Sequence, residues 1–168
     1  MGWLYWTNYE KMNSYTVSFF GHRRIDNFNY VEYLVSQIIE NLLSSHSHIE
    51  FLVGRDGDFD QIVSSAIHRY KRLIRSDNSV LVWVMPYLTA SFRENEDSFR
   101  AYYDEIEVCD DSSLSHFKRA FQIRNQQMVD RSDYVVFYVH HKSGGAYLTM
   151  QYAAKKEKEY INIFEEKR

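Results

Sequence analysis

Residues 15–24 read Tyr-Thr-Val-Ser-Phe-Phe-Gly-His-Arg-Arg. A short run of aromatic and β-branched side chains closed by a glycine predicts a buried strand that ends in a turn. The same pattern returns downstream. Ile49–Val53 (IEFLV) runs into Gly54, Val80–Met85 (VLVWVM) into Pro86, and Tyr134–Val139 (YVVFYV) leads to Gly144-Gly145, with Tyr160–Phe164 (YINIF) as a last short run. Between them the period changes. Val31, Leu34, Ile38 and Leu42 mark one helical face over 29–45, and Ile62, Ala66, Tyr70 and Leu73 another over 59–74. Helices are also predicted over 114–131 and 146–158. Strands alternating with helices specify an α/β fold, here a three-layer Rossmann-like sandwich with a mainly parallel five-stranded sheet. VLVWVM is apolar throughout, as a strand covered on both faces should be.

The chain has 168 residues, which suggests one domain, and 45% hydrophobic residues, enough to bury a full core. Residues 15–168 are read as that domain and residues 1–14, with Trp3 and Trp6, as an N-terminal extension. The formal charge of -3 argues against a surface built throughout for nucleic acid. A lone Cys109 gives no disulfide framework and fits a reducing compartment. No apolar run approaches the ~20 residues that span a bilayer, and the first eight residues lack the basic start and apolar stretch of a signal peptide. A cytoplasmic protein without membrane contact is expected. Residues 88–113 fit no period, and eight carboxylates but only two arginines fall between Arg93 and Asp111. This acidic insertion reads either as a solvated surface segment or as a flap over a site.

In an open parallel sheet, ligands bind beyond the carboxyl ends of the strands. Three glycine-bearing turns fall there: Gly21-His22-Arg23-Arg24, Gly54-Arg55-Asp56-Gly57-Asp58-Phe59-Asp60, and Ser143-Gly144-Gly145-Ala146. Each joins a strand to a helix N-terminus, whose free N–H groups attract phosphate. With strand order 3-2-1-4-5 the three turns converge. Arg124 lies on the same helical face as Phe117, Phe121 and Met128. A guanidinium on an apolar stripe either pairs, for instance with Asp130 or Asp133, or clamps a phosphate or carboxylate from a pocket. His22, His140 and His141 are placed to approach the cleft, but their spacing does not specify a metal site. Nothing beside Cys109 marks it as a nucleophile. No cofactor is expected.

Four segments carry a resemblance. Ser18-Phe-Phe-Gly-His-Arg23, Phe51-Leu-Val-Gly-Arg-Asp-Gly-Asp-Phe-Asp60, Arg124-Asn-Gln-Gln-Met-Val-Asp-Arg-Ser-Asp133 and Gly144-Gly-Ala-Tyr-Leu-Thr-Met-Gln-Tyr-Ala-Ala154 resemble the SLOG superfamily, most of all its YpsA-like branch. Pro86-Tyr87 and Tyr103-Asp-Glu-Ile106 add to the likeness, which covers about residues 15–164. It implies a nucleotide or nucleotide-derived ligand at the glycine turns and a homo-oligomer. The superfamily's LOG enzymes cleave the N-glycosidic bond of nucleoside monophosphates with an Arg of an R-K-x-x-M pattern and a Glu ending P-G-G-x-G-T-x-x-E. Arg124 and Met128 match the first pattern, with Asn125 in place of its Lys. Gly144 and Gly145 match the second, with Ser143 in place of its Pro and Gln151 where the Glu belongs. An amide cannot replace a carboxylate base.

Two readings follow. In the first the protein binds a nucleotide or nucleotide-derived ligand through Gly21, His22, Arg23, Gly54, Arg55, Gly57, Gly144, Gly145 and Gln151, with Arg124 as clamp. In the second it hydrolyses a nucleotide's glycosidic bond, with Arg124 and with Asp58 or Asp60 supplying the missing charge. Asp58 reads equally as a helix cap. The acidic balance and the lack of a basic stripe argue against nucleic acid as a partner.

Overall fold

The computed structural model describes residues 6–75, 77–113 and 116–164. In chain order the elements are α1 (Asn8–Met12), β1 (Tyr15–Gly21), α2 (Phe28–Ser45), β2 (Ile49–Val53), α3 (Asp58–Leu73), β3 (Ser79–Met85), α4 (Ala90–Glu94), α5 (Glu96–Tyr102), β4 (Glu105–Val108), α6 (Asp110–Ser113), α7 (Phe117–Asp130), β5 (Tyr134–Tyr138), α8 (Gly144–Lys155) and β6 (Tyr160–Asn162). The strands form one sheet in the order β4-β3-β2-β1-β5-β6, parallel at every pairing. The α/β architecture expected from the sequence is therefore present, with six strands rather than five. Trp3 and the expected helix start at 114–115 lie outside the described residues.

Strand periodicity separates the sheet's two faces. Val17 and Phe19 of β1, Phe51 and Val53 of β2, and Leu81, Trp83 and Met85 of β3 join one core with Val31, Val35 and Ile39 of α2 and Phe59, Val63 and Ile67 of α3. Phe20, Leu52, Val82, Val84, Val135 and Phe137 point the other way, against Met128 and Val129 of α7 and Ala153 of α8. The sheet is thus covered on both sides, which is why its central strands are apolar at consecutive positions.

The sixth strand comes from the acidic segment. Residues 88–113, read as irregular, hold three short helices and β4 along the open edge of β3. Phe92, Phe99 and Tyr103 place their rings 6.0, 5.0 and 5.2 Å from that of Trp83. The carboxylates are used structurally. Asp104 accepts from the Leu81 amide at 2.8 Å and from Lys71. Glu107 and the buried Glu50 share the Arg131 guanidinium at 2.7 and 2.6 Å. Long-range pairing and aromatic packing, neither visible as local periodicity, fold this stretch.

Residues 6–14 pack at the opposite end of the sheet from the strands' carboxyl ends. Thr7 and Glu10 form a capping box on α1, Trp6 donates to the Asp77 carbonyl at 3.3 Å, and Glu10 pairs with His48 at 3.1 Å. Among the described residues no helix is long and apolar enough to cross a membrane.

Candidate functional site

The turns after β1, β2 and β5 do converge, because those strands are neighbours in the sheet. Together they line a cavity of about 680 Å³ with Gly21, His22, Arg23, Gly54, Gly57, Asp60, Arg124, Gly144 and Gly145 among its walls. That volume suits a small ligand. The wall also includes Arg24, Asp26, Asp56, Phe121, Asn125, His140 and His141.

The turn after β1 is fastened to both of its neighbours. Towards β2, the Asp58 amide donates to the Arg23 carbonyl at 2.9 Å, and the Asp58 carboxylate accepts from the Ile25 amide at 3.0 Å. A Cβ on Gly57 would lie 2.5 Å from Arg23 Cα, so only glycine permits this approach. Towards β5, His22 Nε2 accepts from the amides of His140 and His141 at 3.1 and 3.4 Å. Asp58 is therefore a stitch between turns and does not line the cavity.

The five glycines of these turns divide by role. A Cβ on Gly21 would collide with the Phe59 ring, and Gly57 admits Arg23, so both serve packing. A Cβ on Gly54 would stand 3.1 Å from Asp60 Oδ2, 3.2 Å from Arg124 Nη1 and 3.4 Å from Asp56 Oδ2. Gly144 and Gly145 have nothing within 4 Å of that position, and Gly144 adopts φ +85°, where glycine is favoured. They open α8, a helix of 12 residues whose N-cap Ser143 makes no side-chain cap bond. The unfilled space and the uncapped amides coincide, and that is where an anion would lie.

Arg124 is 5% exposed, and its partner is neither Asp130 nor Asp133. It donates from Nη2 to Asp56 Oδ2 at 3.2 Å, from Nη1 to the Val84 carbonyl at 2.8 Å, and from Nε to Asn125 Oδ1 at 2.9 Å. Asn125 donates onward to Thr149 Oγ1 at 3.1 Å, and Thr149 to the Gly145 carbonyl at 2.8 Å. The buried guanidinium is thus braced to the first turn of α8. Three of its five donors are engaged, leaving two for a ligand.

Two groups in the wall have altered proton affinity. Burial, then the charges of His141 and His140, lower the pKa of His22 to about 4. The ring is neutral at pH 7, and the two amides at Nε2 place its proton on Nδ1. His22, His140 and His141 bring ligand atoms within 4.8 Å of one another. Yet the His22 and His141 rings stack at 3.6 Å and 9°, so their in-plane lone pairs do not converge on one ion. Asp60 accepts from the Asp56 amide at 2.8 Å. Burial dominates its environment and raises its pKa to about 6.

The Asp60 shift has a stability consequence. The folded chain binds this proton more tightly than the unfolded one, so stability is highest below pH 4 on this account and is lost as pH rises to about 6. Two units correspond to about 3 kcal/mol, reduced to about 2 kcal/mol because the residue is only half-buried. Asp60→Asn should therefore stabilise the protein by about 2 kcal/mol at pH 7.5 and hardly at all at pH 4, measured by urea denaturation. Equal gains at both pH values would contradict the assignment.

Besides Asp58, two more expected site residues lie elsewhere. Arg55 is drawn away from the cavity by Tyr103 Oη at 3.2 Å and by the Phe99 ring at 4.7 Å. Gln151 is exposed between α7 and α8, where it donates to Tyr147 Oη at 3.0 Å. Asp56 and Asn125 were missed as site residues. The i, i+4 spacing of Asp56 and Asp60 across a helix start was the available signal for the first.

No family model matches the chain, and no curated protein does. Solved structures do. DNA processing protein A (DprA) from Streptococcus pneumoniae superposes with a TM-score of 0.64 at 13% identity, covering 91% of this chain and 51% of that one. The fold is DprA-like. DprA from Helicobacter pylori gives a TM-score of 0.61 at 14% identity over 92% of this chain and 67% of that one. The chain thus spans about half the length of the first of these proteins. The second structure describes a single-stranded DNA binding mode. This corrects the expectation drawn from net charge against nucleic acid: a DprA-like domain is compatible with such a partner. Backbone amides and a few well-placed cations bind phosphate locally, whatever the sum over the surface.

Proposed function

We propose that the protein is a SLOG-type domain of the YpsA-like branch that binds a nucleotide or nucleotide-derived ligand. Its phosphate would sit at the Gly144-Gly145 start of α8, beside His22, Arg23, Arg24 and Arg124. One observation carries this reading: three strand-to-helix turns open into a single cavity, and its unfilled space lies over uncapped helix amides. Gly145→Asp tests it. A Cβ at this position meets no protein atom within 4 Å, so stability should change by less than about 1 kcal/mol. Its carboxylate would occupy and repel the phosphate position, abolishing the melting shift that nucleoside monophosphates give the parent protein. A variant that keeps the full shift would remove the phosphate from α8.

A second reading, glycosidic-bond hydrolysis, is favoured by Asp60, whose pKa of about 6 suits a general acid beside Arg124. Gln151, outside the cavity, has no part in it. Release of free base from nucleoside monophosphates, lost in Asp60→Ala, would establish it.

A further inference from the structure

The turn after β2 has two sides. Gly54, Asp56, Gly57 and Asp60 line the cavity of the glycine turns, whereas Arg55, Gln61 and Ser64 line a second cavity of about 310 Å³. Its other wall is Ser98, Phe99 and Tyr102, all from α5. Among the described residues the two cavities share no lining residue, and they differ in charge: three aspartates line the first, no carboxylate the second. Arg55 is held in place there. Its Nη1 donates to Tyr103 Oη at 3.2 Å, and its Cζ lies 4.7 Å from the centroid of the Phe99 ring. Tyr103 is itself 4% exposed, with its ring 5.2 Å from that of Trp83. Only one of the five guanidinium donors is used in this way, and among the described residues no protein acceptor meets the others. Opposite, Tyr102 Oη donates to Ser64 Oγ at 3.4 Å, and His68 backs the Tyr102 ring at 4.2 Å.

We propose that this pocket between α3 and α5 is a second binding site, for a small organic anion with a carboxylate or phosphate head on a compact apolar body. A guanidinium fork takes either oxyanion through two parallel bonds. The Gln61 amide and the Ser98 hydroxyl offer neutral donors for the oxygen that remains, and no lining carboxylate repels the head. The Phe99 and Tyr102 rings give the body an apolar face. Because Tyr103 and Phe99 already orient Arg55, little side-chain freedom is lost on binding. The volume stands at the lower end of ligand pockets, which run from ~300 to ~1,000 Å³, so it suits one ring or a short chain rather than a polymer. The segment 88–113 thereby acquires a task, since its helix α5 builds half of the site. The proposal stands without the nucleotide reading, because the two cavities have no lining residue in common.

The test titrates the full chain with phenyl phosphate, benzoate and uncharged benzamide, and maps the response by NMR amide shifts. At least one anion should saturably shift the amides of Ser64, Ser98 and Phe99, and benzamide should bind at least about tenfold more weakly, having no charge for the guanidinium. The tighter of the two anions identifies the head group. Arg55→Gln should weaken that anion about tenfold or more. Ser98→Glu, at an exposed position, sets a carboxylate beside Arg55 and should abolish binding while every ring of the aromatic cluster stays in place. Gly145→Asp, which fills the other cavity, should leave the shifts at Ser64, Ser98 and Phe99 unchanged. Silence of these amides to both anions overturns the proposal, as do shifts confined to His22, Gly144 and Gly145. Benzamide binding as tightly as benzoate, or full affinity retained in both Arg55→Gln and Ser98→Glu, overturns it equally.

Discussion

Arg124→Ala is expected to cost about 3 kcal/mol of stability and to abolish ligand binding. The guanidinium is almost fully buried and holds three protein acceptors from three places in the chain. Truncation leaves the Val84 carbonyl without its donor and Asp56 without its cation, beside an Asp60 that is already hard to ionise. Losing one partner of a buried charged network typically costs 3–5 kcal/mol; Asp56 is partly exposed, which places this case at the lower end. Lysine would not rescue it, because one ammonium cannot reproduce three divergent planar donors. Denaturant unfolding at pH 7 measures the loss. A cost below 1 kcal/mol would mean that the network relaxes without its arginine.

Gly21→Ala should be nearly as severe, at about 3 kcal/mol, although it adds one methyl group to a residue in the candidate site. The new Cβ would lie inside the Phe59 ring's van der Waals envelope. Phe59 is fully buried and stacks on Tyr138 at 6.0 Å and 18°, so it has nowhere to go. Pairing the change with Phe59→Leu should recover part of the loss in a double-mutant cycle, since the two positions compete for one volume. Strict additivity would show that Gly21 is required for something other than this contact.

These two positions also show what the sequence could reveal. Arg124 stood out because a cation on an apolar helical stripe violates a local rule, but its partner is 68 residues away and nothing local points to it. Asp130 and Asp133, nearer in the chain, are engaged by Tyr152 at 2.8 Å and by the Thr16 amide at 2.8 Å. The glycines marked the turns correctly, yet whether a glycine faces Phe59 or empty space is decided by packing between elements. The central strands were legible because burial on both faces leaves an unbroken apolar run, as in Val80–Met85. β4, Glu-Ile-Glu-Val, hides its strand character behind charges that only α7 and β2 explain. Arg55 looked like an anion ligand from its place in the turn, and the aromatic cluster around Trp83 claimed it.

β4 also forms one outer rim of the sheet. Such a rim is a template onto which another chain's strand can add, the first step towards fibrillar stacking. Glu105 and Glu107 alternate along it, so two copies meeting rim to rim would set carboxylates against carboxylates. The acidity of this segment, which looked like a surface decoration or a moving cover, works here against the addition of a further strand to this rim.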